Sequence, residues 1–194
     1  MTKTDLSETA LSPEKIRFTA SIFLYSVLAG HIVLLQKFFV QKNFLTAITL
    51  MVILFSAFLC GFLATRWKAL RRNGWLPRIQ QGFLINAAGM LFVVAASFGN
   101  NIWFSLISGV IISGLGQGII FMTLKEQNRY EIFSVREHIH RSVLILAGMV
   151  FTAGICLITQ SAFVDMTGFP YAFSLLLDLS LLGALYINIS QQGG

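Results

Sequence analysis

Six long apolar runs, Phe18 to Val40, Phe44 to Ala64, Ile79 to Phe98, Ile102 to Leu124, Ser142 to Gln160 and Phe169 to Ile189, take up most of this 194-residue chain. A helix needs roughly 20 apolar residues to cross a bilayer, and each run is about that long. Lipid offers no partner to an open backbone, so the runs are expected to be helical even where Ile, Val and Phe would favour strands in water. They predict an all-α membrane protein, a bundle of six transmembrane helices spanning 18–189, with polar tails at 1–17 and 190–194. Composition agrees, with 56% apolar residues, 11% charged residues and a mean hydropathy of +0.75, outside the range of a soluble domain. The first 17 residues are polar and mixed in charge, and are not expected to form a removable signal peptide.

The bases set the expected direction of the spans, because Lys and Arg in short connectors are retained in the cytoplasm. Lys3, Lys15 and Arg17 precede the first span. Arg66, Lys68, Arg71, Arg72 and Arg78 follow the second, and Lys125, Arg129, Arg136 and Arg141 follow the fourth. Of the 14 bases only Lys37 and Lys42 fall beside an alternate connector. An N-in/C-in bundle in the cell (inner) membrane is therefore expected, and the net charge of +6 is first a topology signal. The cytoplasmic basic loop around Arg66, Arg71 and Arg72, with Trp67 and Trp75, also suits anionic lipid headgroups, whereas nucleic acid is a poor partner.

Small residues mark the expected helix contacts. The fourth span contains Ser105, Ser108, Gly109, Ser113, Gly114, Gly116 and Gly118, several of them four apart, so a partner helix can come near. Gly109, Gly114, Gly116 and Gly118 are read as packing positions. Gly82 and Gly89 in the third span, and Ala147, Gly148, Ala153 and Gly154 in the fifth, are further candidates. Cys60 and Cys156 lie in apolar runs and are read as packing residues.

Polar groups at membrane depth are the functional candidates, since an ionisable residue in mid-span is costly. His31 in the first span and Asp178 in the sixth each lie near the middle of a helix. Brought together they would share a proton; apart, each would bond a neighbouring backbone or hydroxyl group. Asn86, Gln117 and Gln160 either line a cavity or hold helices together. The segment Lys125 to Arg141, with Glu126, Glu131, Glu137, His138 and His140, reads as a solvated, self-neutralising connector and not as a metal site. No nucleophile elbow, P-loop, dinucleotide fingerprint or CxxC occurs, so neither an enzyme nor a resident cofactor is expected.

The run Leu106 to Gly118, LISGVIISGLGQG, resembles the fourth-helix motif of major facilitator superfamily transporters, with Gly114, Gly116 and Gly118 on the family's glycine array and Val110 where the family has Arg. After the second span, Gly61, Arg66, Arg71 and Arg72 fit the family's loop motif, while Thr65 and Lys68 stand where it has Asp and Gly. The six runs, the long basic loop and the ending GFPYAFSLLLDLSLLGAL look like one half of such a transporter, whose two three-helix repeats run in opposite directions. The resemblance implies a half-transporter subunit that needs a second half, as a homodimer or with another membrane protein, to bind or move a small solute along a path bordered by the first and fourth helices. The missing motif charges leave a second expectation open: a non-transporting structural or assembly subunit of a larger membrane complex.

Overall fold

The computed structural model describes residues 12–42, 44–66, 74–96, 102–128, 135–161 and 168–192. Each of these segments is helical: α1 (Pro13–Lys42), α2 (Phe44–Ala64), α3 (Trp75–Ala96), α4 (Ile102–Asn128), α5 (Val135–Ser161) and α6 (Gly168–Gln192). α1 starts where its sequence says it should. Pro13 takes the first helical position, where its missing N–H costs nothing, and the Ser12 hydroxyl accepts from Lys15 N at 3.4 Å.

α1, α3, α4, α5 and α6 each hold a stretch long and apolar enough to cross a membrane, and α2 adds the shorter apolar run Ile48–Ala64. By length and composition the chain is a multi-pass membrane protein. The helices outrun the apolar segments. The connector expected over Lys125 to Arg141 is helix at both ends, since α4 runs to Asn128 and α5 opens at Val135. Backbone hydrogen bonding carries a helix past its apolar stretch wherever the flanking residues tolerate it, and LysGluGln at one end and ArgGluHis at the other do.

Contacts at one end of the bundle fix the alternation of direction. There Arg78 at the start of α3 pairs with Glu126 near the end of α4 at 3.2 Å, and Arg141 in α5 pairs with Glu14 in α1. Arg17 lies 5.8 Å over the Trp75 ring, Lys125 6.0 Å over Phe62 and Arg141 5.5 Å over Phe18. The Gln191 amide reaches Gln80 at 3.4 Å, bringing the end of α6 to the same place. α1 thus begins and α6 ends at one basic end of the bundle.

The most extensive pairings are α3 with α4, α3 with α6, α2 with α4, α1 with α5 and α1 with α6. Exchanging α1, α2 and α3 for α4, α5 and α6 maps this set onto itself: α1–α5 becomes α2–α4, α3–α4 becomes α1–α6, and α3–α6 is unchanged. The lesser pairs α1–α2 and α5–α6 have no counterpart of similar extent. α1 and α4, which the exchange relates, touch only slightly.

Glycines let α4 come backbone to backbone against two partners. A Cβ on Gly114 would meet Leu54 O and Ala57 of α2 at 2.9 Å, and one on Gly118 would collide with Phe58 O of the same helix. A Cβ on Gly116 would lie 2.5 Å from Asn86 N and Gly82 O of α3, and one on Gly109 would lie 2.7 Å from Gly89 O. Close approach of this kind replaces the hydrophobic driving force that lipid removes. The fifth span behaves differently from its reading as a receiving surface. Gly148 packs on Ile22 and Ser26 of α1, but Gly154 has nothing within 4 Å and Ala147 is exposed. α5 lies at the margin, with only 11% of its apolar stretch buried against 56% for α1 and α4.

Candidate functional site

The interior divides along the bundle axis into two apolar clusters with a polar layer between them. Toward the basic end lie Ile16, Ala20 and Leu24 of α1, Ile79 and Phe83 of α3, Ile120 and Leu124 of α4, and Ala184 and Ile187 of α6. Toward the other end lie Leu34 and Leu35 of α1, Leu50 and Leu54 of α2, Met90 and Val93 of α3, Leu106 and Val110 of α4, and Phe173 and Leu176 of α6. Along α3, α4 and α6 the switch from one cluster to the other falls at Asn86, at Ser113 and Gln117, and at Ser180. Val110, at the position of the family's Arg, belongs to the apolar side with 0% exposure.

The polar layer is a connected network. The Ser113 hydroxyl donates to Asn86 Oδ1 at 2.6 Å and the Asn86 amide donates to Ser180 Oγ at 2.6 Å. Ser180 donates in turn to Leu176 O at 2.7 Å. The Gln117 amide reaches Asn86 Oδ1 at 3.1 Å and Ser113 Oγ at 3.2 Å. His31 Nδ1 lies 3.1 Å from Gln117 Nε2 and 3.2 Å from Ser113 Oγ. An amide nitrogen can only donate, so Nδ1 accepts in its contact with Gln117 Nε2 and the neutral ring then carries its proton on Nε2. Nε2 and Gln117 Oε1 have no hydrogen-bond partner among the described residues. All five side chains are at most 1% exposed.

Three of the five polar residues that the sequence marks at membrane depth, His31, Asn86 and Gln117, therefore meet. Asp178 does not: it is exposed on α6, and the proton-sharing pair with His31 is not formed. The reason is helical period. Ala172, Phe173, Leu176, Ser180, Ala184 and Ile187 form the buried stripe of α6, and Asp178 falls between its turns. Ser180, which completes the network, is a residue that sequence reasoning passed over. Its signal was its place on that stripe, four residues beyond Leu176. Ser113 was read as a packing residue and is also a donor. The Gln160 side chain and the whole of Arg71 and Arg72 lie outside the described residues, while Arg66 stands exposed just beyond the end of α2.

A second feature opens beside the polar layer. Between the α1–α5 pair and the α2–α4 pair, at the basic end, lies a cleft of about 850 Å³. Leu24, Phe62, Phe121, Met122 and Ile145 form its apolar walls, Ser21 and Tyr25 supply hydroxyls, and Arg66, Lys125 and Glu126 stand at its charged rim. None of the polar-layer side chains lines it. The two features have different chemistry: the layer is buried and bonded largely within itself, whereas the cleft is concave, with apolar walls and a charged rim. Comparison with protein-family models finds no match, and no curated protein matches either.

Proposed function

We propose that this chain is a half-transporter subunit of the kind found in the major facilitator superfamily. It sits in the cell (inner) membrane among its lipids with both ends cytoplasmic, and binds or moves a small solute along the cleft between α1 and α4. A second six-helix unit, either another copy or a different membrane protein, covers the open side. The observation that carries this reading is the helix pairing. The five most extensive pairs map onto one another under exchange of the two three-helix halves, and α1 and α4, one of the helix pairs related by that exchange, touch only slightly and border the cleft. The orientation rests on the bases gathered at the end where α1 begins and α6 ends. The cleft opens at that same end, which supports reading it as the cytoplasmic mouth of such a half.

The test is uptake by the reconstituted protein. Transport of a solute found by thermal-shift screening should fall to background when Met122→Trp fills the cleft, and should survive Leu182→Trp on the outer face of α6. Equal transport by both variants would defeat the proposal.

A second reading, a structural or assembly subunit of a larger membrane complex, is favoured by one specific observation. The buried polar network lies apart from the cleft, so the groups that would couple protons to a solute are spent on joining helices. Gentle extraction followed by mass measurement separates the two readings. A stoichiometric hetero-complex with no uptake supports the second, and a self-contained dimer that binds solute supports the first.

A further inference from the structure

α6 carries polar side chains on opposite faces at nearly the same depth. Ser180 points inward and holds Asn86, which lies midway along α3. Asp178, two residues earlier, is exposed. Two residues are about 200° apart on a helix, so the two face away from each other. The stripe that contains Asp178 continues through Tyr171, Leu181, Leu182, Leu185 and Ile189, all exposed, and is otherwise apolar at membrane depth.

The depth is what makes this carboxyl informative. Within the apolar stretch Pro170–Gln192, Asp178 lies roughly 12 Å from the Pro170 end and roughly 21 Å from the other, at ~1.5 Å per residue. Both ends of a ~30 Å hydrocarbon core are therefore well beyond its reach. Lys and Arg escape such positions by extending to the headgroups, but the short Asp side chain cannot. Among the described residues none bonds or pairs with it. An ionisable group this deep belongs against protein.

Among the described residues the chain's own surface does not supply the partner. Every Lys and Arg whose side chain is described lies at the basic end, as the contacts of Arg17, Arg78, Lys125 and Arg141 show. A second copy packed α6 to α6 about a two-fold axis would set carboxyl against carboxyl. The cleft is lined by α1, α2, α4 and α5 and leaves the outer face of α6 uninvolved.

We propose that the outer face of α6, centred on Asp178, docks a transmembrane helix of another protein that presents Lys or Arg at the same depth, the pair being shielded by Leu181, Leu182 and Leu185. This interface is distinct from the one that completes the cleft, and it does not depend on solute transport. The test uses the full chain in the membranes of its source cell, with a hydrophobic carbodiimide as the probe of lipid-facing carboxyls. The expected result is protection of Asp178 in intact membranes and modification after detergent stripping, read by mass spectrometry of the α6 peptide. A photo-crosslinker at Leu182 should trap a single membrane protein through a spanning segment that contains Lys or Arg. The yield should fall at least roughly tenfold with Asp178→Leu and be largely kept with Asp178→Glu. Equal modification of Asp178 with and without detergent, adducts only between copies of the chain, or a trapped segment without a base would each overturn the proposal. If Asp178→Leu fails to accumulate, the protection of the wild-type carboxyl still decides.

Discussion

α1 and α4 each open a three-helix half of the bundle, yet they are packed in different ways. α4 meets α2 and α3 through Gly114 and Gly118 on one side and Gly109 and Gly116 on the other, so main chain lies against main chain. α1 meets α5 and α6 mostly through side chains. Gly30 faces Leu176, Cys156 and Thr152, and Gly148 of α5 faces Ser26 and Ile22. Helix contacts in lipid rest on close packing, so α2, α3 and α4 form the firm body of the molecule and the α1–α5 pair is its adjustable flank. The cleft runs along the seam between them.

Substitutions test the inequality directly. The largest effect is expected for Gly116→Leu and Gly118→Leu, which force side chains into the main chain of α3 and α2. Each should cost about 3 kcal/mol or abolish the bundle, measured by denaturant unfolding in detergent micelles. The matching change on the flank, Gly154→Leu, meets open space and should shift stability by less than about 0.5 kcal/mol. Comparable losses at Gly118 and Gly154 would erase the distinction between body and flank.

The polar layer sharpens the comparison, because it ties α1 to the firm body through a single residue. Asn86→Leu breaks bonds among α3, α4 and α6 and should cost about 1 to 2 kcal/mol, near the upper end for hydrogen bonds between membrane helices. His31→Phe removes only the link to Gln117 and Ser113 and should cost about 1 kcal/mol, while raising the mobility of α1 relative to α4. Spin labels on the two helices would report that change as a broader distance distribution. A modest effect is expected for Arg78→Ala on the ion pair, where a buried guanidinium meets the part-exposed Glu126 at the basic end. Its pair with Glu126 should contribute no more than about 1 kcal/mol and should weaken further in high salt.

Much of this architecture was legible in the sequence, because a bilayer restricts what an apolar run can become. Helix number and place follow from run length, and the bases gathered at one end follow from their spacing along the chain. The glycines of α4 could be read as contact points but not assigned to partners, since a sequence does not say that Gly118 faces Phe58 while Gly116 faces Asn86. His31, Asn86 and Gln117 were each visible as polar residues at depth. Their convergence was not, because it depends on how four helices turn about their axes. A proton-sharing pair of Asp178 with His31 is one of the two readings the sequence allows, on depth alone; counting the stripe from Phe173 through Leu176 and Ser180 to Ala184 places Asp178 outward. The cleft left no sequence signal, being a space between pairs of helices that no single helix encodes.

The central claim is that the seam between the flank and the body is an aqueous path open at the basic end. Single cysteines at Tyr25, Met122 and Ile145, on a background of Cys60→Ala and Cys156→Ala, should react with a membrane-impermeant thiol reagent applied from the cytoplasmic side. Cysteines at Val150 and Phe151, exposed on the side of α5 turned away from the cleft, should not react. If the three cleft positions are as inert as these two, the seam is closed and the account is wrong.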